Sequence, residues 1–430
     1  MNLDELLGSP VDPTTKGWPA GPGLPLREVG RQGWNLLRGD LPLPVALIKA
    51  SALSHNSRWM RSFLEHFGVA ICPHGKTTMA PQLFARQLAD GAWGITVATV
   101  QQLRVCRRFG VQRVVLANQL VGAQAIREVL AELRADPSFW FACLVDSLET
   151  VEQLVAEARS FGQEQPLQVL LEGGYPGGRT GCRTVERALA VARAAAAAPE
   201  LALIGVEGFE GLIARPTPTE TAASVDAFLG TLLEIARACA AENLFAPGRI
   251  LLSAGGSAFF DQVTKAFRAA ALEREVQVVL RSGCYLTHES KMYRQFFDDM
   301  RDRGLEINGL GDGLRAALEL WAYVQSTPQP GLAIATLGTR DVSFDVHMPL
   351  PQQWFRPGVH ARPQDLGAGF EVTGLSDQHA FVTLPDDSPL RVGDMLSFGI
   401  SHPCTTFDKW QLLYVVDDKY RVIEGIRTFF

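Results

Sequence analysis

VAICPHGKT, residues 69–77, is the stretch of sequence that decides the fold. Its apolar start predicts a buried strand, and the helical pattern of residues 54–68 before it ends at Gly68, a residue that commonly stops helices. Another short apolar run, residues 44–51, precedes that helix and predicts a further strand. The folded part of the chain therefore opens with a strand, a helix and a second strand, and Lys76 directly follows the second strand.

The same alternation continues along the chain. Helical patterns alternate with the apolar runs WGITVAT, RVVLANQ and FACLVDS, and then with residues 167–174, 201–209, 248–257 and 276–284. Alternating strands and helices are typical of a parallel sheet covered by helices. About eight such units fit into residues 69–290, which predicts an α/β fold with a (β/α)8 TIM-type barrel.

The pattern changes near residue 331, where the helical period gives way to short strands with turn signals about every 8–12 residues. The predicted strands are residues 331–339, 341–346, 370–376, 379–384, 394–401, 410–416 and 420–430. This change predicts a separate, mainly β domain after the barrel. The expected division is an extended Pro- and Gly-rich leader (1–43), a lead-in strand and helix (44–68), the barrel (69–300) and the β domain (301–430).

Composition and charge exclude several classes of function. The 430 residues carry 40 Lys and Arg against 46 Asp and Glu, a net charge of −6 without a basic block, so we expect neither nucleic-acid nor membrane binding. No stretch approaches the roughly 20 apolar residues of a membrane span. The seven scattered cysteines lack a CxxC pair, which predicts reduced thiols and a cytoplasmic protein with a small-molecule substrate.

Chemically unusual residues follow several barrel strands, where the active sites of such barrels are built. Lys76 follows one strand, and a desolvated lysine has a lowered pKa and becomes a usable nucleophile, although most lysines at strand ends are surface residues. Arg179 lies in the Gly-rich loop EGGYPGGRTG (172–181). The small-residue loops SAGGSAFFD (253–261) and RSGCY (281–285) offer backbone N–H groups that suit a phosphate.

A candidate metal site lies in the β domain, in SHPCTTFD. His402 and Cys404 flank Pro403, which favours an extended His402, and residues two apart in a strand share a face. Imidazole and thiolate together suit Zn²⁺ and leave positions open for substrate, although so short a motif is equally consistent with core packing. His347 and His379 are candidates for additional ligands.

Four separated motifs carry a resemblance to a known family: PHGKTTMAP, GAWGITVATVQQL, VVLANQLVG and GISHPC. The chain resembles the D-serine dehydratase and D-threonine aldolase group of alanine-racemase-like, fold-type III pyridoxal-phosphate (PLP) enzymes, from about residue 40 to the end. The resemblance implies a homodimer in which the β domain of one subunit helps to close the barrel mouth of the other.

The resemblance also implies roles for particular residues. Lys76, rather than Lys49 in the similar-looking ALIKAS, attaches PLP covalently and is the catalytic base. The other implied cofactor-binding residues are His74, Arg179, Ser253, Gly255, Gly256, Ser257, Arg281, Gly283, Cys284 and Tyr285. RSGCY departs from the group's usual Arg-Pro-Gly, and Glu210 stands where an active-site histidine is often found. Glu210 is either a substrate-facing carboxylate or acid–base group, or a surface loop residue.

The HPC motif indicates which reaction to expect. The motif resembles that of the dehydratases of this group, which have a His and Cys pair that favours Zn²⁺, whereas the aldolases tend to carry Asp in place of the cysteine. We therefore expect metal-assisted elimination from β-hydroxy D-amino acids, such as D-serine or D-threonine, to a 2-oxo acid and ammonia. The alternatives are retro-aldol cleavage to glycine and an aldehyde, a non-catalytic PLP carrier, and a barrel enzyme without PLP.

Overall fold

The computed structural model describes residues 1–303 and 310–430. The chain opens with an irregular leader, a first strand and a long helix. These elements are helix α1 (Asp4–Gly8), two 3-10 turns (Leu26–Arg31 and Leu36–Arg38), strand β1 (Val45–Lys49) and helix α2 (Ala50–Phe67). Helix α2 ends at Gly68, whose φ of 60° is a left-handed conformation that glycine adopts without steric cost.

Eight parallel strands form the first sheet. They are β2 (Ala70–Ile71), β3 (Ile95–Val97), β4 (Arg113–Gln119), β5 (Trp140–Val145), β6 (Leu167–Gly173), β7 (Leu201–Gly208), β8 (Ile250–Ala254) and β9 (Val276–Leu280). Their order is β2-β9-β8-β7-β6-β5-β4-β3. The two edge strands meet through a parallel bridge between His74 and Thr96, so the sheet closes and the predicted barrel is confirmed.

Helices alternate with these strands around the barrel. They are α3 (Pro81–Ala89), α4 (Val100–Arg108), α5 (Ala123–Ala135), α6 (Leu148–Phe161), α7 (Val185–Ala197), α8 (Pro218–Ala241), α9 (Phe260–Arg268) and α10 (Met292–Asp302). Four of them begin at a Ser or Thr whose side chain accepts a backbone N–H of the first turn: Thr99, Ser147, Thr184 and Thr217. Such caps stabilise a helix by about 1 kcal/mol and fix where each loop ends.

The second sheet forms the mainly β domain. Its elements are β10 (Leu318–Gln329), β11 (Leu332–Ala335), β12 (Leu350–Phe355), β13 (Gln364–Asp365), β14 (Glu371–Leu375), β15 (Ala380–Thr383), β16 (Met395–Gly399), α11 (Cys404–Phe407), β17 (Leu412–Val416) and β18 (Val422–Arg427). Strand β1 lies inside this sheet, antiparallel to β10 and parallel to β17. The lead-in strand β1 therefore belongs to the β domain, although helix α2 alone connects it in sequence to β2, the first strand of the barrel.

Three details of this domain differ from the sequence pattern. Residues 341–346, expected as a strand, form a loop, whereas β10 and β12 were not among the expected strands. The expected start of the domain, residue 301, lies in α10, and residues 304–309 lie outside the described part of the chain. Among the helices of residues 1–303 and 310–430, none is long and apolar enough to cross a bilayer.

The two domains meet at the segment that follows Lys76. The Gln82 side chain in α3 donates to the Gly425 carbonyl at 2.7 Å and accepts from the Arg427 N–H at 3.2 Å. The Phe429 N–H donates to the Met79 carbonyl at 2.9 Å. The C-terminal strand is thereby anchored next to the barrel loop that carries the candidate lysine.

Candidate active site

Lys76 lies in a 3-10 turn, Gly75–Thr77, directly after β2. Gly75 is required there, because a Cβ at that position would lie 2.8 Å from the Ile95 side chain and 3.0 Å from the Phe84 ring. The amine is half-buried, and desolvation lowers the pKa of Lys76, assisted by the cationic Arg179 and Arg281 nearby. The turn therefore presents an amine that loses its proton more readily than a surface lysine does.

His74 and Gly283 bring the PHGKT and RSGCY loops into contact. A Cβ on Gly283 would lie 2.6 Å from Thr77 Oγ1 and 2.7 Å from the Cβ of His74, so the two loops pack backbone against side chain. The His74 ring is buried, and its Nδ1 has no hydrogen-bond partner among the described residues. Desolvation and the neighbouring Lys76 hold the pKa of His74 well below its usual value, so the ring is neutral and its Nδ1 is available to a ligand.

Glu210 is fully buried, so its interpretation as a surface carboxylate is wrong. Its two carboxylate oxygens accept hydrogen bonds from the Gly255 N–H at 3.2 Å and the Gly256 N–H at 2.6 Å. Burial raises the pKa of Glu210, while these N–H groups oppose the rise. Glu210 thus occupies the Gly255 and Gly256 N–H groups, two of the donors that the resemblance assigns to the cofactor phosphate. While Glu210 accepts these hydrogen bonds, Ser257 and the loop at Gly283 are the remaining candidates to bind the phosphate.

Arg281 is held inside the barrel rather than turned to solvent. Its Nη2 lies 2.5 Å from a carboxylate oxygen of Glu207 and donates to the Gly208 carbonyl at 2.7 Å. Burial raises the pKa of Glu207 to about 8, and the positive charge of Arg281 opposes that rise. The two side chains form a buried pair at the end of β7, where no acidic site residue was predicted.

Three other residues implied to bind the cofactor, Arg179, Ser253 and Tyr285, have different surroundings in the structure. The Arg179 guanidinium lies 4.7 Å from the centre of the Phe209 ring, and its charge is felt at both Lys76 and His74. The Ser253 hydroxyl donates to the Val279 carbonyl at 2.9 Å, within the sheet. Tyr285 is buried, and its hydroxyl is hydrogen-bonded to Gln87 of α3. The charge of Arg179 therefore influences Lys76, whereas Ser253 and Tyr285 are hydrogen-bonded elsewhere in the barrel wall.

The HPC segment does not form the extended strand that was expected. Strand β16 ends at Gly399, and Pro403 has φ −57° and ψ −45°, helical values that start α11 at Cys404. A proline restricts the residue before it to extended conformations, but its own fixed φ is compatible with the start of a helix. The geometric premise that His402 and Cys404 share the face of a strand is therefore wrong.

His402 is held by a carboxylate from the loop of residues 341–346. Its Nδ1 lies 2.7 Å from Asp345 Oδ2, and its backbone N–H donates to Ser343 Oγ at 2.8 Å. Although burial acts in the opposite direction, the hydrogen bond from His402 holds the pKa of Asp345 below its usual value. A histidine whose Nδ1 is bound to a carboxylate presents Nε2 as its free ligand atom, which is the arrangement common in metal sites.

Cys404 lies against the barrel, beside the lysine turn. Its Sγ is 3.4 Å from Thr77 Oγ1 and 3.7 Å from the Sγ of Cys284. The contact with Cys284, together with burial, raises the pKa of the Cys404 thiol well above its ordinary value. Sequence reasoning placed Cys284 in a phosphate loop and missed this pairing, for which the only signal was the unusual cysteine in RSGCY.

The two additional histidine candidates do not join His402 and Cys404. His347 Nε2 lies 3.2 Å from a Glu289 carboxylate oxygen, and His379 is exposed. Within residues 1–303 and 310–430, no group of three or more His, Cys, Asp or Glu side chains is arranged to hold a metal ion. The chemistry of the His402 and Cys404 donors fits a soft divalent metal, but the two side chains would have to converge to bind one.

Family models match both domains of this chain. Residues 48–260 match "Alanine racemase, N-terminal domain", and residues 317–416 match "Putative serine dehydratase domain". A 3-hydroxy-D-aspartate aldolase of Paracoccus denitrificans (strain Pd 1222) is 25% identical over 84% of this chain and 85% of its own length.

Solved structures share the same architecture over nearly the whole chain. A D-threonine aldolase from Filomicrobium marinum superposes with a TM-score of 0.74 at 20% identity, covering 92% of this chain and 97% of its own. A D-threo-3-hydroxyaspartate dehydratase from Delftia sp. HT23 gives 0.69 at 20% identity, covering 92% and 99%. By these matches most of the barrel belongs to the alanine racemase N-terminal domain family and the β domain to the putative serine dehydratase domain family, and the chain as a whole is similar to D-threonine and 3-hydroxy-D-aspartate aldolases and to a D-threo-3-hydroxyaspartate dehydratase.

Proposed function

We propose that this chain is an ammonia-lyase that converts small β-hydroxy D-amino acids, such as D-serine or D-threonine, to a 2-oxo acid and ammonia. One observation carries the proposal. The Cys404 thiol of the β domain lies 3.4 Å from Thr77 Oγ1, next to the Lys76 amine of the barrel. An amine suited to PLP and a thiol suited to zinc therefore belong to one site, as metal-assisted loss of a β-hydroxyl requires.

The residues present fit the cofactor at its aldehyde end. Lys76 would attach PLP, and the unpartnered His74 Nδ1 and the Arg179 guanidinium are groups that would contact it. When bound, PLP supplies an electron sink for the negative charge left at the substrate α-carbon. The phosphate would have to use Ser257 and the loop at Gly283, or displace the Glu210 carboxylate from its two N–H partners.

Lys76 would also move the proton in this scheme. The α-proton of the substrate has to pass to a base, and an amine with a lowered pKa is unprotonated in a larger fraction near neutral pH. Arg179 and Arg281 disfavour the ammonium form of Lys76 by charge repulsion. Arg179 would also favour a substrate that carries a carboxylate, whereas Arg281 is already paired with Glu207.

His402 and Cys404 would hold the metal, which we propose to be Zn²⁺ because thiolate is a soft ligand. When bound, the ion would stabilise the negative charge that develops on the departing β-oxygen. Asp345 would orient the His402 ring through the 2.7 Å contact at Nδ1. Hydroxide is a poor leaving group, and this stabilisation is what the proposed elimination needs.

A second candidate function is retro-aldol cleavage to glycine and an aldehyde. A similar protein and a similar structure are named as aldolases, a 3-hydroxy-D-aspartate aldolase and a D-threonine aldolase. Asp345 is the observation in this chain that favours it, because its carboxylate, 2.7 Å from His402 Nδ1, would in this alternative bind the metal directly instead of orienting the ring, and so offer the oxygen donor that the aldolases have in place of Cys404.

D-Threonine distinguishes the two reactions in a single incubation. We expect 2-oxobutyrate and ammonia to dominate, chelation to abolish turnover, and added Zn²⁺ to restore it. Cys404→Ala should lose turnover but keep the yellow colour of the PLP-loaded protein. Dominant glycine and acetaldehyde would favour the aldolase, and full turnover after thorough chelation would remove the metal from the scheme.

The proposal includes a homodimer in the cytoplasm, where the seven cysteines stay reduced. The dimer is supported by the family resemblance, in which the β domain of a second subunit helps to close the barrel mouth. Light scattering on the purified protein should give twice the 46.9 kDa mass of the chain.

A further inference from the structure

Two thiols from different domains meet beside the Lys76 turn. Cys284 follows β9 in the barrel, Cys404 begins α11 in the β domain, and the two residues are 120 positions apart in sequence. Their Sγ atoms are 3.7 Å apart, and both lie within 3.8 Å of Thr77 Oγ1. The proposed metal ligand Cys404 is therefore accompanied by a second sulfur that the proposed function does not use.

The separation of the two sulfurs matches a shared zinc ion. With Zn–S bonds of about 2.3 Å and tetrahedral angles, two thiolates on one ion lie about 3.7–3.8 Å apart. Two thiols in simple contact would be found at a similar distance, so the separation alone does not decide between the two. A disulfide would require the sulfurs to approach to about 2.05 Å.

A second observation points to a ligand at this place. The His402 Nδ1 is engaged by Asp345 at 2.7 Å, which leaves Nε2 as the free ring nitrogen. This pairing of a carboxylate with a histidine is the usual support of a metal-ligating imidazole. The His402 side chain is 30% exposed, and its ring would have to turn toward Cys404 for the three side chains to bind one ion.

We propose that Cys284 is a third protein ligand of the metal held by His402 and Cys404. The proposal rests on the metal site of the proposed function and adds a ligand from the barrel. Catalytic zinc sites typically have three protein ligands and one open position, and two thiolates with one histidine form such a set. Two ligands from the β domain and one from the barrel would tie the domains together at the lysine, and two thiolates would favour Zn²⁺ over Mn²⁺ or Mg²⁺.

Cobalt reports the number of thiolate ligands without reference to activity. The metal-stripped protein is titrated with Co²⁺, and the thiolate-to-cobalt charge-transfer absorbance is measured per bound ion. We expect Cys284→Ala and Cys404→Ala each to lower this absorbance about twofold and to weaken zinc binding at least about tenfold. Cys239→Ala, a thiol buried in α8, is the matched control and should leave both values unchanged.

X-ray absorption at the zinc edge tests the same ligand count in the unaltered protein, in case a variant fails to fold. Two sulfur neighbours at about 2.3 Å are expected. A single sulfur, or full charge-transfer absorbance in Cys284→Ala with loss in Cys404→Ala, would overturn the role of Cys284 and leave the proposed metal site in place. If the unaltered protein binds neither cobalt nor zinc, the metal site of the proposed function fails as well.

Discussion

At the scale of single residues, Lys76 and Lys49 carry the same amine at the end of a strand but meet different surroundings. The Lys49 ammonium lies 3.4 Å from a carboxylate oxygen of Glu319 and 5.0 Å from the centre of the Tyr420 ring. A carboxylate and the face of an aromatic ring both attract a cation. Lys76 instead faces two arginines and is desolvated, which lowers its pKa. Environment, rather than the motif alone, therefore distinguishes the candidate cofactor lysine, Lys76, from Lys49.

Lys76→Ala tests this assignment directly. The variant should form no yellow complex with PLP and should lose at least about 10³-fold in turnover, because it lacks both the attachment point and the base. Since burial lowers the pKa of Lys76, the rate of colour formation in the unaltered protein should rise with pH and reach half of its maximum below the ~10.4 of a free lysine. Lys49→Ala is the control, and loss of colour in that variant instead would refute the assignment.

Asp345→Asn tests whether the carboxylate orients His402 for a metal. An amide in place of the carboxylate weakens the 2.7 Å contact and no longer fixes the ring tautomer. We expect zinc affinity, measured by competition with a chromophoric chelator, to fall about 10–100-fold. Asp408→Asn, at the end of α11 beside Lys409, should change it little. Equal affinities of the two variants would show that Asp345 does not support a metal ligand.

The site residues that the sequence predicts are those whose signal is local. Lys76 and Arg179 follow apolar strands within a few residues, so the rule that barrel sites form at strand ends finds both. The partners of Glu210 and Cys284 lie 45 and 120 positions away, respectively, and no periodicity connects such distant positions. The contact between Cys284 and Cys404 depends on how two domains pack, which a single sequence does not encode locally.

At the scale of elements, the PHGKT and RSGCY loops can lie in close contact because residue 283 is a glycine. Gly283→Ala would bring a methyl group to 2.6 Å from Thr77 Oγ1 and 2.7 Å from the His74 carbonyl, so the two loops would have to separate. We expect a loss of about 1–3 kcal/mol in the free energy of unfolding, measured with urea, and weaker PLP binding by absorbance titration. Gly230→Ala, in α8 with no atom within 4 Å of the new Cβ, should instead gain about 0.5–1 kcal/mol.

The sequence predicted which segments form strands and helices more reliably than it predicted which strands pair. The strand at residues 44–51 and the helix that ends at Gly68 are present, but β1 pairs with β10 and β17 of the other domain. Hydrophobic periodicity reports which residues are buried, and a strand buried in either sheet gives the same pattern. The apolar residues of 341–346 were read as a strand for the same reason, although they form a loop with Phe344 and Val346 exposed.

At the scale of the whole molecule, the site depends on how the two domains dock. The chain enters the β domain as β1, leaves it through α2 to build the barrel, and returns to the β domain with β10. The β domain therefore contains the first and the last strands of the chain. Cys404 lies beside the Lys76 turn, and the same domain is hydrogen-bonded to α3 and to the loop before it.

Gln82→Leu tests that anchoring. The leucine removes the hydrogen bonds to Gly425 and Arg427 and leaves two backbone groups of β18 unpaired, which should lower the free energy of unfolding by about 2–4 kcal/mol. Gln101→Leu is the matched control, because exposed Gln101 donates to the Phe429 carbonyl at 3.3 Å and its loss should cost less than about 0.5 kcal/mol. Hydrogen exchange should show β18 opening in the Gln82 variant before the barrel strands do, since only the docking contact is changed. If β18 exchanges at the rate of the unaltered protein, Gln82 does not hold the domains together.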